Sequence, residues 1–139
     1  MEQVHATCVD AGGAGVLLRG DPGSGKSDLA LRLIDGGARL VADDRVDLAL
    51  DGDQVVASAP KELAGLIEVR GVGVLTLEAV DRAPVWLVVD LVGPGDVERI
   101  PEPGMVELLG VVVPGVRLAP FEASAAAKVR AALGARRDL

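Results

Sequence analysis

Aromatic side chains are almost absent from this chain of 139 residues, which contains one Trp, one Phe and no Tyr. Stacking on aromatic rings is therefore not an evident source of affinity for a nucleobase. A nucleotide bound here would be held mainly through its phosphates and a metal ion. We expect Trp86 to belong to the core rather than to a ligand platform, because it lies in a long apolar run.

Cysteine and histidine are equally scarce, since each occurs once, as Cys8 and His5. A single cysteine cannot form an internal disulfide and suits a reducing compartment, which predicts a cytoplasmic protein. We expect Cys8 to pack as a small apolar residue. By its type alone, a lone histidine such as His5 is more often structural than catalytic.

Positive charge is also in deficit, with 14 basic against 21 acidic residues and a net charge of −7. This composition offers no basic stripe for a nucleic acid. No apolar run approaches the roughly 20 residues that a membrane-spanning helix needs, and the first residues lack the pattern of a signal peptide. Because half of the residues are hydrophobic, we expect one folded domain over residues 1–139 with no membrane or nucleic-acid partner.

One octapeptide satisfies the phosphate-binding loop pattern G-x-x-x-x-G-K-[ST] at every fixed position: Gly20-Asp21-Pro22-Gly23-Ser24-Gly25-Lys26-Ser27. An apolar run precedes it and a helical pattern follows it, so the octapeptide lies at a strand-to-helix turn. Its glycines allow successive N–H groups to point at one anion. Lys26 would then reach the β- and γ-phosphates of a nucleotide, and the Ser27 hydroxyl would bind Mg²⁺.

Apolar periodicity predicts a mixed sheet with few helices, an irregular P-loop α/β fold. We predict strands at residues 4–9, 14–18, 39–42, 46–50, 54–58, 66–70, 72–77, 85–92 and 106–113. A helix is predicted from residue 26 to the glycines at 36–37, one helical turn at 60–65, and a last helix at 121–133. The run at 85–92 is the most continuously apolar and predicts a central strand buried on both faces, followed by a surface loop at 93–104.

Two sets of carboxylates are candidates for the acids that work with the loop. Asp90 ends an apolar run, as a Walker B aspartate that binds Mg²⁺ does. Asp43 and Asp44 also end a predicted strand, where the ligand crevices of α/β sheets lie. Two like charges in one site favour proton uptake by one of them, although an Asp-Asp pair can also merely cap a turn.

Two further charged residues, Glu68 and Arg70, lie inside an apolar run. They either face a polar site or point to solvent from an antiparallel strand.

Several stretches combine into a resemblance to the HPr kinase/phosphorylase family. They are His5 opening a strand, residues 20–27 followed by Asp28, Leu40-Val41-Ala42-Asp43-Asp44, and Ile67-Glu68-Val69-Arg70-Gly71-Val72-Gly73-Val74. Their order and spacing agree with the family's catalytic domain from about residue 4 to residue 76. The resemblance implies a catalytic-domain-like fold of that family and an enzyme that uses ATP and Mg²⁺ to phosphorylate a serine of HPr, a phosphocarrier of the sugar phosphotransferase system.

The resemblance also implies roles for matching positions. Residues 20–27 would hold the triphosphate, with Lys26 stabilising the transferring phosphoryl group. Ser27 and Glu68 would bind the metal ion.

For the acceptor side, Asp44 resembles the residue that takes the proton from the substrate serine, with His5 and Asp43 close to it. Arg99 resembles a catalytic arginine of the family. Asp90 has no required counterpart there and becomes the second choice.

The chain also departs from the family pattern. The regulatory N-terminal domain has no counterpart, which is typical of the shortened alphaproteobacterial members, and the longer glycine-containing loop between residues 77 and 85 is missing. A basic segment linked to dephosphorylation is reduced to a remnant at residues 114–117. Since phosphorolysis needs a second anion site, we predict a kinase and do not extend the prediction to the phosphorylase.

Two alternatives to the protein kinase stay open, a small-molecule P-loop kinase and a nucleotide-binding regulatory domain without catalysis. The resemblance further implies a homo-oligomer, a hexamer by analogy with the family.

Overall fold

The computed structural model describes residues 1–137. Along this part of the chain the strands are β1 (Glu2–Val4), β2 (Thr7–Ala11), β3 (Ala14–Arg19), β4 (Arg39–Ala42), β5 (Val46–Asp51), β6 (Gln54–Ser58), β7 (Leu66–Val69), β8 (Gly73–Thr76), β9 (Arg82–Leu91), β10 (Gly104–Leu108) and β11 (Val111–Leu118). The α-helices are α1 (Lys26–Asp35) and α2 (Ala125–Arg137), and two short 3₁₀ turns lie at Lys61–Leu63 and Pro94–Asp96. The predicted mixed sheet with few helices is therefore confirmed.

The main sheet runs in the order β1-β5-β6-β9-β3-β2-β4, and the β10–β11 hairpin joins it through β11 and β9. β9 lies parallel to both β3 and β11, whereas its first residues pair antiparallel with β6. The remaining pairs are antiparallel, and β7 and β8 form a separate hairpin. This arrangement places the carboxyl ends of β3, β9 and β11 at one edge of the sheet, where the connections to α1 and α2 begin.

The long strand β9 is central for the reason that its sequence suggests. Leu87, Val88 and Val89 are all fully buried, and a strand covered on both faces needs a continuous apolar run rather than alternation. The backbones of β9 and its neighbour β3 approach closely at Gly15. A Cβ atom at Gly15 would lie 2.6 Å from the carbonyl oxygen of Pro84 in β9, so this position of β3 requires glycine.

Two apolar clusters cover opposite faces of the sheet. Val16 and Leu18 belong to the cluster under α1 and α2, whereas Leu17 between them belongs to the other, as the two-residue repeat of a strand requires. Trp86 is partly buried against the first cluster, and its ring carries the Arg136 guanidinium 5.3 Å from its centroid. Within residues 1–137, no helix has the length and apolar character needed to cross a membrane.

Three predicted boundaries were wrong. The single strand at 106–113 is instead the hairpin of β10 and β11, whose turn takes positive φ at Leu109 (49°) and Gly110 (81°). The strand at 4–9 is divided into β1 and β2, which pair with different strands, β1 with β5 and β2 with β3 and β4. The last helix begins at Ala125 and not at residue 121.

Candidate functional site

The octapeptide 20–27 forms a tight loop between β3 and α1. Gly23 and Gly25 have φ angles of 80° and 100°, a left-handed conformation that glycine adopts at low cost. At Gly20, a Cβ atom would lie 2.4 Å from the Ser24 hydroxyl oxygen, so this position also requires glycine. The loop therefore leads directly into the amino end of α1, which begins at Lys26 and can attract an anion.

Lys26 is held by the loop that it would serve. Its Nζ donates hydrogen bonds to the carbonyl oxygens of Gly20 at 2.7 Å and Asp21 at 3.1 Å. The ammonium group can exchange one of these carbonyl partners for a phosphate oxygen.

Asp43 is a buried carboxylate with a full set of partners, and its exposed fraction is only 5%. Its Oδ1 accepts hydrogen bonds from the hydroxyls of Thr7 at 2.9 Å and Ser27 at 2.7 Å. Its Oδ2 accepts the backbone N–H of Glu68 at 3.0 Å. One carboxylate thus connects β2, α1 and β7, and buried charges are tolerated when they are bonded in this way.

The neighbouring Asp44 has the opposite environment. It is exposed and has a φ of 70°, in a three-residue turn closed by the hydrogen bond from Arg45 N–H to Asp43 C=O at 2.8 Å. Its carboxylate lines a cavity of about 390 Å³. Lys26, Ser27, Glu68 and Arg70, all singled out in the sequence, lie around the same cavity.

The β7–β8 hairpin brings Glu68 and Arg70 to this cavity. Its turn is closed by a hydrogen bond from Val72 N–H to Val69 C=O at 2.9 Å, and Gly71 and Gly73 take positive φ angles there. Both charged residues are exposed on this antiparallel hairpin and border the cavity, so the two alternatives given for them, a polar site and the solvent, each describe part of their surroundings.

Not all of the predicted residues meet at the cavity. His5 is exposed between β1 and β2, and Arg99 is exposed in the segment that precedes β10; neither lines the cavity. Their catalytic roles therefore stay predictions. Asp90 has a different partner, because its two oxygens accept hydrogen bonds from Arg19 Nε at 2.8 Å and Nη2 at 3.0 Å.

Sequence reasoning missed two residues of the site. Thr7, a buried hydroxyl in an apolar strand, binds Asp43, and only its polar character within β2 could have indicated it. Phe121 borders the cavity and is 71% exposed; the sequence signals it only as the one phenylalanine of the chain.

The donor set suits a magnesium ion. Mg²⁺ is usually bound by one or two carboxylates together with substrate phosphates and waters, and a serine hydroxyl with carboxylates nearby at a phosphate-binding loop matches that chemistry. Ser27 is hydrogen-bonded to Asp43 and borders the same cavity as Asp44 and Glu68. Within residues 1–137 no group of three His, Cys, Asp or Glu side chains forms a metal site by itself, so the protein would supply only part of the coordination.

Cys8 lies outside this chemistry. It is fully buried in β2, and its Sγ contacts the carbonyl oxygen of Val9 at 3.8 Å. Burial, with a smaller contribution from the charge of Asp10, raises the pKa of the Cys8 thiol to about 12. The thiol thus stays protonated and inert, as expected for a packing residue.

A glycine-rich loop at a strand-to-helix turn, with a lysine, a serine and acidic residues converging on one cavity, defines the class of P-loop phosphate-binding proteins. The family of the HPr Serine kinase C-terminal domain matches residues 1–119. The chain therefore belongs to this family.

Relatives of known name support the family assignment. The chain is 49% identical over 76 residues to the HPr kinase/phosphorylase of Exiguobacterium sp., covering 54% of this chain and 24% of that protein. It is 52% identical over 73 residues to the HPr kinase/phosphorylase of Enterococcus faecalis, covering 52% of this chain and 24% of that protein. The aligned part thus spans about a quarter of the length of these relatives.

A solved structure extends the similarity to the whole fold. The Hpr(Ser) kinase/phosphatase from Coxiella burnetii superposes with a TM-score of 0.87 at 28% sequence identity, covering 99% of this chain and 97% of that chain. The predicted HPr-kinase type of fold is confirmed.

Proposed function

We propose that this chain is a protein-serine kinase that transfers the γ-phosphoryl group of ATP to a serine of an HPr-like phosphocarrier. The observation that carries the proposal is the cavity in which Asp44 shares walls with Lys26 and Ser27. Family membership supports the choice of reaction, and the named relatives supply the substrate class.

Residues 20–27 bind the triphosphate in this proposal. Backbone N–H groups of the loop and the amino end of α1 donate to phosphate oxygens. Lys26 leaves the carbonyl oxygens of Gly20 and Asp21 and neutralises the charge that develops during transfer. Arg70, the second cation at the cavity, is placed to assist on the acceptor side.

Asp44 is the proton acceptor. As the serine hydroxyl oxygen bonds to the γ-phosphorus, the bond between that phosphorus and the bridging oxygen of ADP breaks, and the hydroxyl proton passes to the Asp44 carboxylate. Within residues 1–137 no protein hydrogen bond occupies this carboxylate, whereas the Asp43 oxygens are already engaged. This difference supports proton transfer by Asp44 and a positioning role for Asp43.

Ser27 and Glu68 would hold Mg²⁺, which offsets phosphate charge when it is bound. Asp43 orients the Ser27 hydroxyl from behind. His5 and Arg99 would take part only if the segments that carry them approach the cavity in the complex with the carrier.

The proposed partner is an HPr-like carrier of the phosphotransferase system, in the cytoplasm, and the proposed assembly is a homo-oligomer of the hexameric kind. We propose the kinase direction alone. Phosphorolysis needs a second phosphate beside the first, and the basic side chains at the cavity are those of Lys26 and Arg70.

Incubation of the purified chain with Mg²⁺, γ-labelled ATP and HPr-like carriers tests the proposal. We expect label on a carrier serine, and Lys26→Ala and Asp44→Asn should each lower the rate by about 100- to 10,000-fold. Asp53→Asn, which removes the same charge from an exposed turn between β5 and β6, should leave the rate unchanged.

Three outcomes contradict parts of this proposal. If Asp44→Asn keeps most of the rate, Asp44 is not the base. Label transferred to free serine and not to a carrier would indicate a small-molecule kinase. ATP binding without transfer to any acceptor would indicate a regulatory nucleotide-binding domain.

A further inference from the structure

A second cavity adjoins the proposed phosphate site, and Asp44 is not among its lining residues. Its volume is about 600 Å³, within the range of about 300–1,000 Å³ that small-molecule sites occupy. It lies between the phosphate-binding loop and the segments that follow β9 and β11, and it shares Pro22, Gly23 and Phe121 with the first cavity. A ligand bound by its phosphates at the loop can therefore extend into it without leaving the protein surface.

The charges around the two cavities are different. Among the described residues, those lining the second cavity include the carboxylates of Asp21, Asp96 and Glu122 and no lysine or arginine. The first cavity contains the cations Lys26 and Arg70 beside the carboxylates of Asp28, Asp44 and Glu68. Of the two cavities, the first thus offers cations to phosphate groups, whereas the second suits an uncharged group with apolar faces.

Phe121 forms the wall between the cavities. Its ring lies against the phosphate-binding loop, since a Cβ atom at Gly25 would be 2.9 Å from its Cζ, yet 71% of the residue is exposed. Exposure of a phenylalanine ring to water is unfavourable, and Phe121 is the one phenylalanine of this chain.

The backbone that carries Phe121 is held firmly. The Arg32 guanidinium of α1 donates hydrogen bonds to the carbonyl oxygens of both neighbours, Pro120 and Glu122, the latter at 3.2 Å. Arg32 is itself paired with Asp28 at 3.0 Å. Preorganisation of this kind lowers the entropic cost of stacking a ligand on the ring.

We propose that the second cavity is the nucleoside pocket and that Phe121 is the ring on which the base of the nucleotide stacks. The inference rests on the proposed function, because it takes the phosphates to be held at residues 20–27. Stacking on one aromatic face accepts every base, so the ring contributes affinity for nucleotides rather than choice among them. In this proposal stacking adds to nucleotide affinity in spite of the scarcity of aromatic residues.

Calorimetry with two ligands, MgADP and the magnesium complex of tripolyphosphate, tests the pocket. Phe121→Ala should weaken MgADP binding by about ten-fold, the effect of losing one base–aromatic stack, and should leave tripolyphosphate binding unchanged. Phe121→Trp should restore MgADP affinity, and the fluorescence of the new Trp should be quenched by MgADP and not by tripolyphosphate. Ile100→Ala serves as control, because it removes an apolar side chain that is 81% exposed and lies in neither cavity.

The possible failures are distinguishable. If wild-type protein does not bind tripolyphosphate, the phosphate site fails, and this inference fails with it. If tripolyphosphate binds but Phe121→Ala keeps full affinity for MgADP, only the nucleoside pocket is refuted. An equal loss for both ligands would show that the ring shapes the loop instead of contacting the base, and it would also overturn the inference.

Discussion

The Ser27 hydroxyl donates a hydrogen bond to the Asp43 carboxylate across 2.7 Å. This contact joins the first turn of α1, which follows β3 along the chain, to the residue directly after β4, and β2 lies between β3 and β4 in the sheet. Since Thr7 and the backbone of Glu68 also bind Asp43, one buried carboxylate fixes the relative positions of the groups proposed to hold Mg²⁺.

Asp43→Asn is expected to lower the free energy of unfolding by about 1–3 kcal/mol. An amide oxygen can still accept from the Thr7 and Ser27 hydroxyls, but its NH₂ group must then face the Glu68 N–H, a donor against a donor. Thr7→Val removes one partner and leaves the carboxylate with two, so it should cost only about 1 kcal/mol. Urea denaturation measures both, and equal stability of Asp43→Asn and wild type would contradict the buried network.

Asp44→Ala and Asp44→Gly are expected to lose activity equally but to differ in stability. Both remove the proposed base, whereas only glycine adopts the φ of 70° without a steric penalty; a tight three-residue turn of this hand is strained for other residues. Asp44→Gly should be more stable than Asp44→Ala by about 1 kcal/mol. Urea midpoints decide the matter, and a more stable alanine variant would mean that this turn is not formed in solution.

Asp90→Asn is expected to keep the kinase activity, because Asp90 pairs with Arg19 and does not border the cavity. The side chains of Arg19 and Asp90 are 35% and 33% exposed. An ion pair this exposed contributes about 1 kcal/mol or less to the free energy of unfolding. The more exposed pair of Asp51 and Arg82 offers a comparison, since Asp51→Asn should cost less. Rate assays and denaturation give the two readouts, and a large loss of rate in Asp90→Asn would restore it as the metal-binding aspartate.

Cys8 is expected to resist iodoacetamide in the folded protein and to react after unfolding in urea. Because burial raises its pKa from 9.0 to about 12, the folded thiol keeps a proton that the unfolded thiol releases in this interval. The free energy of unfolding should then fall as the pH rises from about 9 towards 12, by at most about 1.4 kcal/mol per pH unit. Cys8→Ala should show a shallower fall, and identical slopes would contradict the burial.

Local sequence patterns predicted the parts of the fold that depend on short segments. The loop at 20–27 and the buried strand β9 follow from residue type and apolar continuity alone. The β10–β11 hairpin did not, because Leu109 takes a left-handed conformation in its turn, a position for which leucine gives no signal. The strand predicted to end at residue 113 also continues, because Pro114 pairs with Met105 inside β11.

The site shows the same division. The Asp43-Asp44 pair could be recognised from the sequence, but its separation into a buried and an exposed carboxylate depends on partners from β2, α1 and β7 that are distant along the chain. Phe121 is a related case, since a count of aromatic residues carries no information on where the one phenylalanine lies, here at the border of two cavities. Contacts between remote segments decide both cases.

The parallel pairing of β3 with β9 joins Ala14–Arg19 to Arg82–Leu91, so the strand that carries the phosphate-binding loop is supported by a segment that leaves the ribosome much later. During synthesis the loop therefore has no firm base until β9 has docked. Nucleotide should bind the finished sheet and not its precursors, and a destabilised variant would lose ligand and fold in a single step. In screens of such variants, loss of nucleotide binding should therefore be attributed to incomplete folding of the sheet before it is attributed to damage at the site.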